Sequence, residues 1–95
     1  MTDVEIVDVP DDARWEARLG DVVTGFADYR REGAVVEFTH AEVQPEYEGR
    51  GIAGAIARTS LDAARAAGLR VIAGCPFYAG WIAQHPDYQD LLAES

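Results

Sequence analysis

The chain has 95 residues, enough for one domain with a single core and therefore one site. Eight basic residues, all Arg, stand against 17 acidic ones, for a net charge of -9; that field repels a phosphate backbone and speaks against a nucleic-acid partner. Hydrophobic residues at 48% and one cysteine describe an ordinary globular chain without a disulfide framework. Met1-Thr2-Asp3 opens without a basic region and an apolar run, and no stretch approaches the roughly 20 apolar residues of a membrane helix, so a cytoplasmic, non-membrane protein is expected.

Residues 4–9 alternate weakly, Pro10-Asp11-Asp12 reads as a turn, and Trp15, Ala17 and Leu19 alternate with Arg14, Glu16 and Arg18 as in a half-buried strand. Gly20-Asp21 suits a tight turn into a strand over 22–30, and Arg31-Glu32-Gly33 a second turn into a strand over 34–43. The first half is thus predicted to be an antiparallel meander of about four strands.

Pro45 blocks strand continuation, and residues 50–67 are Ala-rich and free of proline, which predicts one long helix. Ile52, Ile56, Thr59 and Ala63 form one stripe, flanked by Ala53, Ala57, Ser60 and Ala64, so the helix can lie close to a sheet. Gly68 fits a left-handed C-terminal cap, with Leu69 placed for its apolar contact. A strand over 70–74 follows, and strand, helix, strand implies a crossover to a parallel neighbour. Cys75-Pro76 ends that strand, a short helix is expected over 77–84, and 87–95 reads as a loop or a last helical turn. The fold class is α+β, a mixed sheet in one domain spanning residues 1–95.

Gly49 and Gly51 stand between a predicted strand and a predicted helix, where missing side chains let a ligand approach the backbone. The free N–H groups of the first helical turn favour an anion such as a pyrophosphate, and Arg50 adds a charge. Two glycines before a helix also make a plain flexible turn. The segment is too short for a dinucleotide fingerprint and lacks the Lys and Ser/Thr of a P-loop, which disfavours nicotinamide and ATP sites.

The string Val43-Gln44-Pro45-Glu46-Tyr47-Glu48-Gly49-Arg50-Gly51-Ile52-Ala53 resembles the junction between strand four and the long helix of GNAT N-acetyltransferases. The family pattern Arg/Gln-x-x-Gly-x-Gly/Ala falls on Glu48-x-x-Gly51-x-Ala53, with the first position changed to Glu. His40-Ala41-Glu42-Val43, Cys75-Pro76-Phe77 and His85-Pro86-Asp87-Tyr88 resemble a small single-domain subfamily, a trimmed GNAT core. The resemblance implies an acyltransferase that binds acetyl-CoA and passes the acetyl group to an amine. By that resemblance Glu42 and Val43 offer strand backbone to the pantetheine arm, and Arg50, Gly51, Ile52 and Ala53, with Glu48 and Gly49 in the same turn, hold the pyrophosphate. The thioester then lies between strands four and five, near Phe77 and Tyr78, the latter placed to protonate the departing thiolate.

Cys75 ends the strand after the crossover helix, where ligands collect in such sheets; it is either an acyl-accepting nucleophile, a pocket wall or a small buried side chain. His40 is a candidate general base or a structural histidine, and Glu42 is a second candidate base on the same side of the strand. His85 is read as closing the short helix, and Trp15, Trp81 and Phe38 as core. No metal site is expected. Two other readings remain open: a non-catalytic acyl-CoA-binding module, and a dimerising domain whose sheet has an apolar face in need of a partner.

Overall fold

The computed structural model describes residues 4–93. Five strands form one sheet in the order β1-β2-β3-β4-β5: β1 (Glu5–Val9), β2 (Arg14–Leu19), β3 (Val22–Glu32), β4 (Val35–Val43) and β5 (Arg70–Ala73). The first four are antiparallel neighbours, and β5 pairs parallel with β4, as the crossover predicts. Helix α1 (Ile52–Ala66) connects them, and α2 (Pro76–Ala83) follows β5. No helix among the described residues is long and apolar enough to cross a membrane.

The β3–β4 turn is tighter than expected. Gly33 takes φ 60°, so a two-residue turn suffices, and Arg31 and Glu32 stay in the ladder opposite Val36 and Val35. Helix α1 starts at Ile52 rather than Arg50 because Gly51, at φ 78°, is left-handed and belongs to the turn. At its other end the Leu69 N–H reaches the Ala64 carbonyl and the Gly68 N–H that of Arg65, the two bonds of a Schellman cap. Helix α2 admits Pro76 as its first residue, a position that needs no N–H donor. The closing segment is more ordered than the sequence indicates: Pro86–Leu91 is a 3-10 helix, and the Ala93 N–H then bonds the Val71 carbonyl beside β5.

The core lies between α1 and one face of the sheet. Ala17, Ala27, Val36, Phe38 and Val71 project from the strands into it, meeting Ile52, Ile56, Ala57, Leu61 and Ala64. The buried stripe is rotated from the predicted one: Thr59 and Ala63 are half-buried, and Leu61, outside the predicted stripe, is fully enclosed. Tyr78 from α2 completes the core, its ring stacked on Phe38 at 4.3 Å. Trp15 and Trp81 pack against its margin.

The opposite sheet face is not the apolar surface expected of a bare meander. Alternation and register bring Arg14, Glu16, Arg18, Asp28, Arg30, Glu37, His40 and Glu42 there. Ion pairs tie Arg14 to Asp28 at 3.1 Å and Arg18 to Glu16 at 2.7 Å, and the Arg14 guanidinium covers the Phe26 ring at 4.1 Å. Ile72, opposite Glu37, is an exposed apolar side chain beside them.

Candidate functional site

The site arises where two paired strands part company. β4 and β5 pair from Val35↔Arg70 to Phe38↔Ala73, and there β5 ends while β4 runs on to Val43. The break coincides with a β-bulge, because Tyr29 faces Phe38 and Asp28 faces His40, leaving Thr39 without an opposite residue. Past the bulge, the Gln44 N–H is bonded to the Thr24 carbonyl of β3. Strict alternation along an antiparallel ladder then turns the peptide groups of Val43 and Ala41 away from β3, to the side where β5 is missing. These are polar backbone groups on an open strand edge, suited to an extended ligand with amides of its own.

A cavity of about 230 Å³ fills that gap, lined by Phe26, Ala41, Glu42, Val43, Glu48, Ala53, Ile56 and Phe77. Register places Ala41 and Val43 on the core face and Phe26 and Glu42 on the opposite one, so the walls come from both faces of the sheet and the opening passes through its plane. Of the predicted site residues, Glu42, Val43, Glu48, Ala53 and Phe77 are brought together here. Phe26, Ala41 and Ile56 were not legible as site residues: Phe26 and Ala41 read as ordinary strand positions, Ile56 as core.

At one end of the cavity is the turn before α1. Gly49 and Gly51 hold φ 83° and 78°, and a Cβ built on either meets nothing within 4 Å, so both glycines serve backbone conformation and leave space above it. The Ala55 N–H already bonds the Gly51 carbonyl, and no side chain among the described residues caps the helix start. The amides of Ile52, Ala53 and Gly54 therefore precede the first intrahelical bond and keep the positive end of the dipole. Arg50 stands over the Tyr47 ring at 5.4 Å.

The predicted catalytic residues separate into two groups. His40 and Glu42 both project from the outer face, His40 Nε2 lying 3.6 Å from Glu42 Oε2 and its ring 5.9 Å from that of Phe26. Cys75 is 5% exposed and forms the N-cap of α2, whose first residue, Pro76, has no N–H to offer it. Among the described residues no hydrogen bond joins His40 to Cys75, and Cys75 is not on the cavity wall.

Phe77 and Tyr78 part in the same way. Phe77 lines the cavity, whereas Tyr78 is enclosed and its hydroxyl lies 2.8 Å from Ser60 Oγ. Ser60 is within 2.7 Å of the Ile56 carbonyl, so its proton goes there and Tyr78 donates to Ser60. Burial pushes the Tyr78 hydroxyl well above the usual tyrosine range, against the opposing pull of the Ser60 hydrogen bond, and it stays protonated. His85 does close the short helix: Nδ1 lies 2.6 Å from the Trp81 carbonyl and its ring stacks on Trp81 at 3.7 Å. Among the described residues no group of His, Cys, Asp and Glu forms a metal site.

Glu37 is a residue that sequence reasoning passed over. It sits on β4 opposite Ile72, one residue before the last β4–β5 pair, and a Cβ added to Gly74 would come within 2.6 Å of its carboxylate. The absence of a side chain at Gly74 is what lets this carboxylate lie across the end of β5. Its ion-pair partner is Arg30, at 3.8 Å.

Residues 14–91 match the family of GCN5-related N-acetyl-transferases. Among solved structures, a GCN5-like candidate N-acetyltransferase from Staphylococcus aureus, determined in solution by NMR, superposes with a TM-score of 0.76 at 21% identity, over 100% of this chain and 93% of that one. The aminoglycoside N-acetyltransferase AAC(6')-Iy, in complex with CoA, superposes with a TM-score of 0.53 at 21% identity, over 86% of this chain and 67% of that one. No curated protein matches the sequence.

Proposed function

The chain belongs to the family of GCN5-related N-acetyltransferases, and from that premise we propose that it is an acetyl-CoA-dependent acyltransferase that acetylates an amine. The observation carrying this reading is the cavity in the β4–β5 gap, open through the sheet and ending at the uncapped first turn of α1. An extended, amide-bearing arm fits the free edge at Ala41 and Val43, and a pyrophosphate fits the amides of Ile52, Ala53 and Gly54.

The donor lies on the α1 side, and the amine approaches from the outer face, where Glu42, His40 and Glu37 are carried. The amine must lose a proton to become a nucleophile, and His40 with Glu42 is the pair that accepts it. The amine nitrogen then attacks the thioester carbonyl, the C–N bond forms, the C–S bond breaks, and the departing thiolate takes up a proton to leave as free thiol. Holding donor and acceptor in line supplies much of the rate. Enclosure and the Ser60 contact leave Tyr78 a positioning role beneath Phe38.

The test is release of free thiol from acetyl-CoA across a panel of primary amines. Acceptor-dependent release, cut at least about tenfold in the double variant His40→Ala/Glu42→Gln, is expected, the size typical of a lost general base. Saturable binding of coenzyme A with no acceptor-dependent release would instead make the domain a binding module.

A further inference from the structure

We propose that Glu48 determines which part of the donor is recognised: it opposes the nucleotide half of coenzyme A, so that affinity rests on the pantetheine arm. The inference depends on reading the β4–β5 gap as the acyl-CoA site. Glu48 lies on the cavity wall at the end next to the helix start, in extended backbone at φ -65° and ψ 151°, with its N–H spent on the Pro45 carbonyl. The rest of the wall is apolar apart from Glu42, a second carboxylate. Glu46 is exposed in the same turn. A donor whose pyrophosphate and 3'-phosphate carry several negative charges therefore enters past acidic residues, in a chain of net charge -9.

Among the described residues no arginine lines the cavity. Arg14 and Arg18 are bound to Asp28 and Glu16 on the outer face, Arg30 to Glu37, and Arg31 to the Gly33 carbonyl. Arg58 is held by Tyr88, Arg65 by Asp90 and Arg70 by the Leu92 carbonyl. Arg50, over Tyr47, is the guanidinium at the helix start, so one cation accompanies Glu46 and Glu48 in the turn from Pro45 to Gly51. The helix amides attract the pyrophosphate while Glu48 repels it. The uncharged pantetheine arm meets an open strand edge and apolar walls without that penalty.

The experiment measures binding of acetyl-CoA and of acetyl-pantetheine, a donor without the nucleotide, to the wild type and to Glu48→Gln, at low and high salt. Because Glu48 is exposed, its substitution leaves the fold intact. Glu48→Gln is expected to tighten acetyl-CoA on the order of 3- to 10-fold at low salt and leave acetyl-pantetheine unchanged. The difference disappears at about 1 M salt, where screening is nearly complete. Glu32→Gln, remote from the cavity, changes neither donor. Acetyl-CoA binding that Glu48→Gln leaves unchanged, or equal tightening of both donors, overturns the role of Glu48 alone. Failure of both donors to bind the wild type overturns the site and the proposal together, whereas acetyl-CoA binding without acetyl-pantetheine binding overturns the proposal and leaves the site.

Discussion

Tyr29 spans the sheet to donate to Asp8 Oδ1 at 2.7 Å, and burial together with that bond pushes its pKa up to about 12. A phenol with a raised pKa holds its proton more tightly folded than unfolded. Its contribution is therefore complete below the ordinary value near 10 and is lost as pH rises towards 12. Denaturant midpoints measured from pH 9 to 12 are expected to fall for the wild type and to fall less for Tyr29→Phe; equal slopes would remove Tyr29 from the alkaline transition. Cys75 poses the other single-residue question. It is buried at the N-cap of α2, off the cavity wall and without a hydrogen bond to His40 among the described residues. Cys75→Ala is expected to retain coenzyme A binding and to keep turnover within about tenfold, since Cys75 is off the cavity wall. Mass-spectrometric detection of an acetylated Cys75 during turnover would instead establish a covalent route.

At the scale of elements, the site depends on where pairing stops. The same alternation that satisfies Gln44 on β3 leaves the Ala41 and Val43 amides facing the gap, so both should exchange quickly in the free protein and be protected by acetyl-CoA. Unchanged exchange at those two amides in the presence of ligand would place the donor elsewhere. Gly51 joins the strand to the helix in a left-handed conformation that costs an L-residue about 1–2 kcal/mol, more with a β-branched side chain. Gly51→Val is expected to lower stability by that amount and to weaken coenzyme A binding, while Gly20→Val, also at positive φ but in the β2–β3 turn, costs stability and leaves binding alone. Equal binding by both variants would disconnect the Gly49–Gly51 turn from the donor.

For the whole molecule, a ligand that binds only the folded state stabilises it by mass action. Acetyl-CoA at 100 times its Kd should contribute about 2.7 kcal/mol, and each kcal/mol raises Tm by about 4–8 °C in a domain of this size. A midpoint unmoved by saturating acetyl-CoA would argue against any specific site. Much of this molecule was legible in the chain. Alternation, Gly20, Gly33, Pro45 and Gly68 encode strands, turns and a helix end locally, and the crossover rule makes β5 parallel to β4. The Gly49–Gly51 turn was legible because positive φ and a helix start leave a local trace. Other features depend on which strand edge meets which. The Thr39 bulge, the early end of β5, the Glu37–Gly74 contact and the separation of His40 from Cys75 arise only once β3, β4 and β5 are in register. Sequence determines the period and the punctuation of each segment because those are properties of neighbouring residues. The opening through the sheet was decided by tertiary structure alone, since a gap between strands belongs to residues more than thirty positions apart.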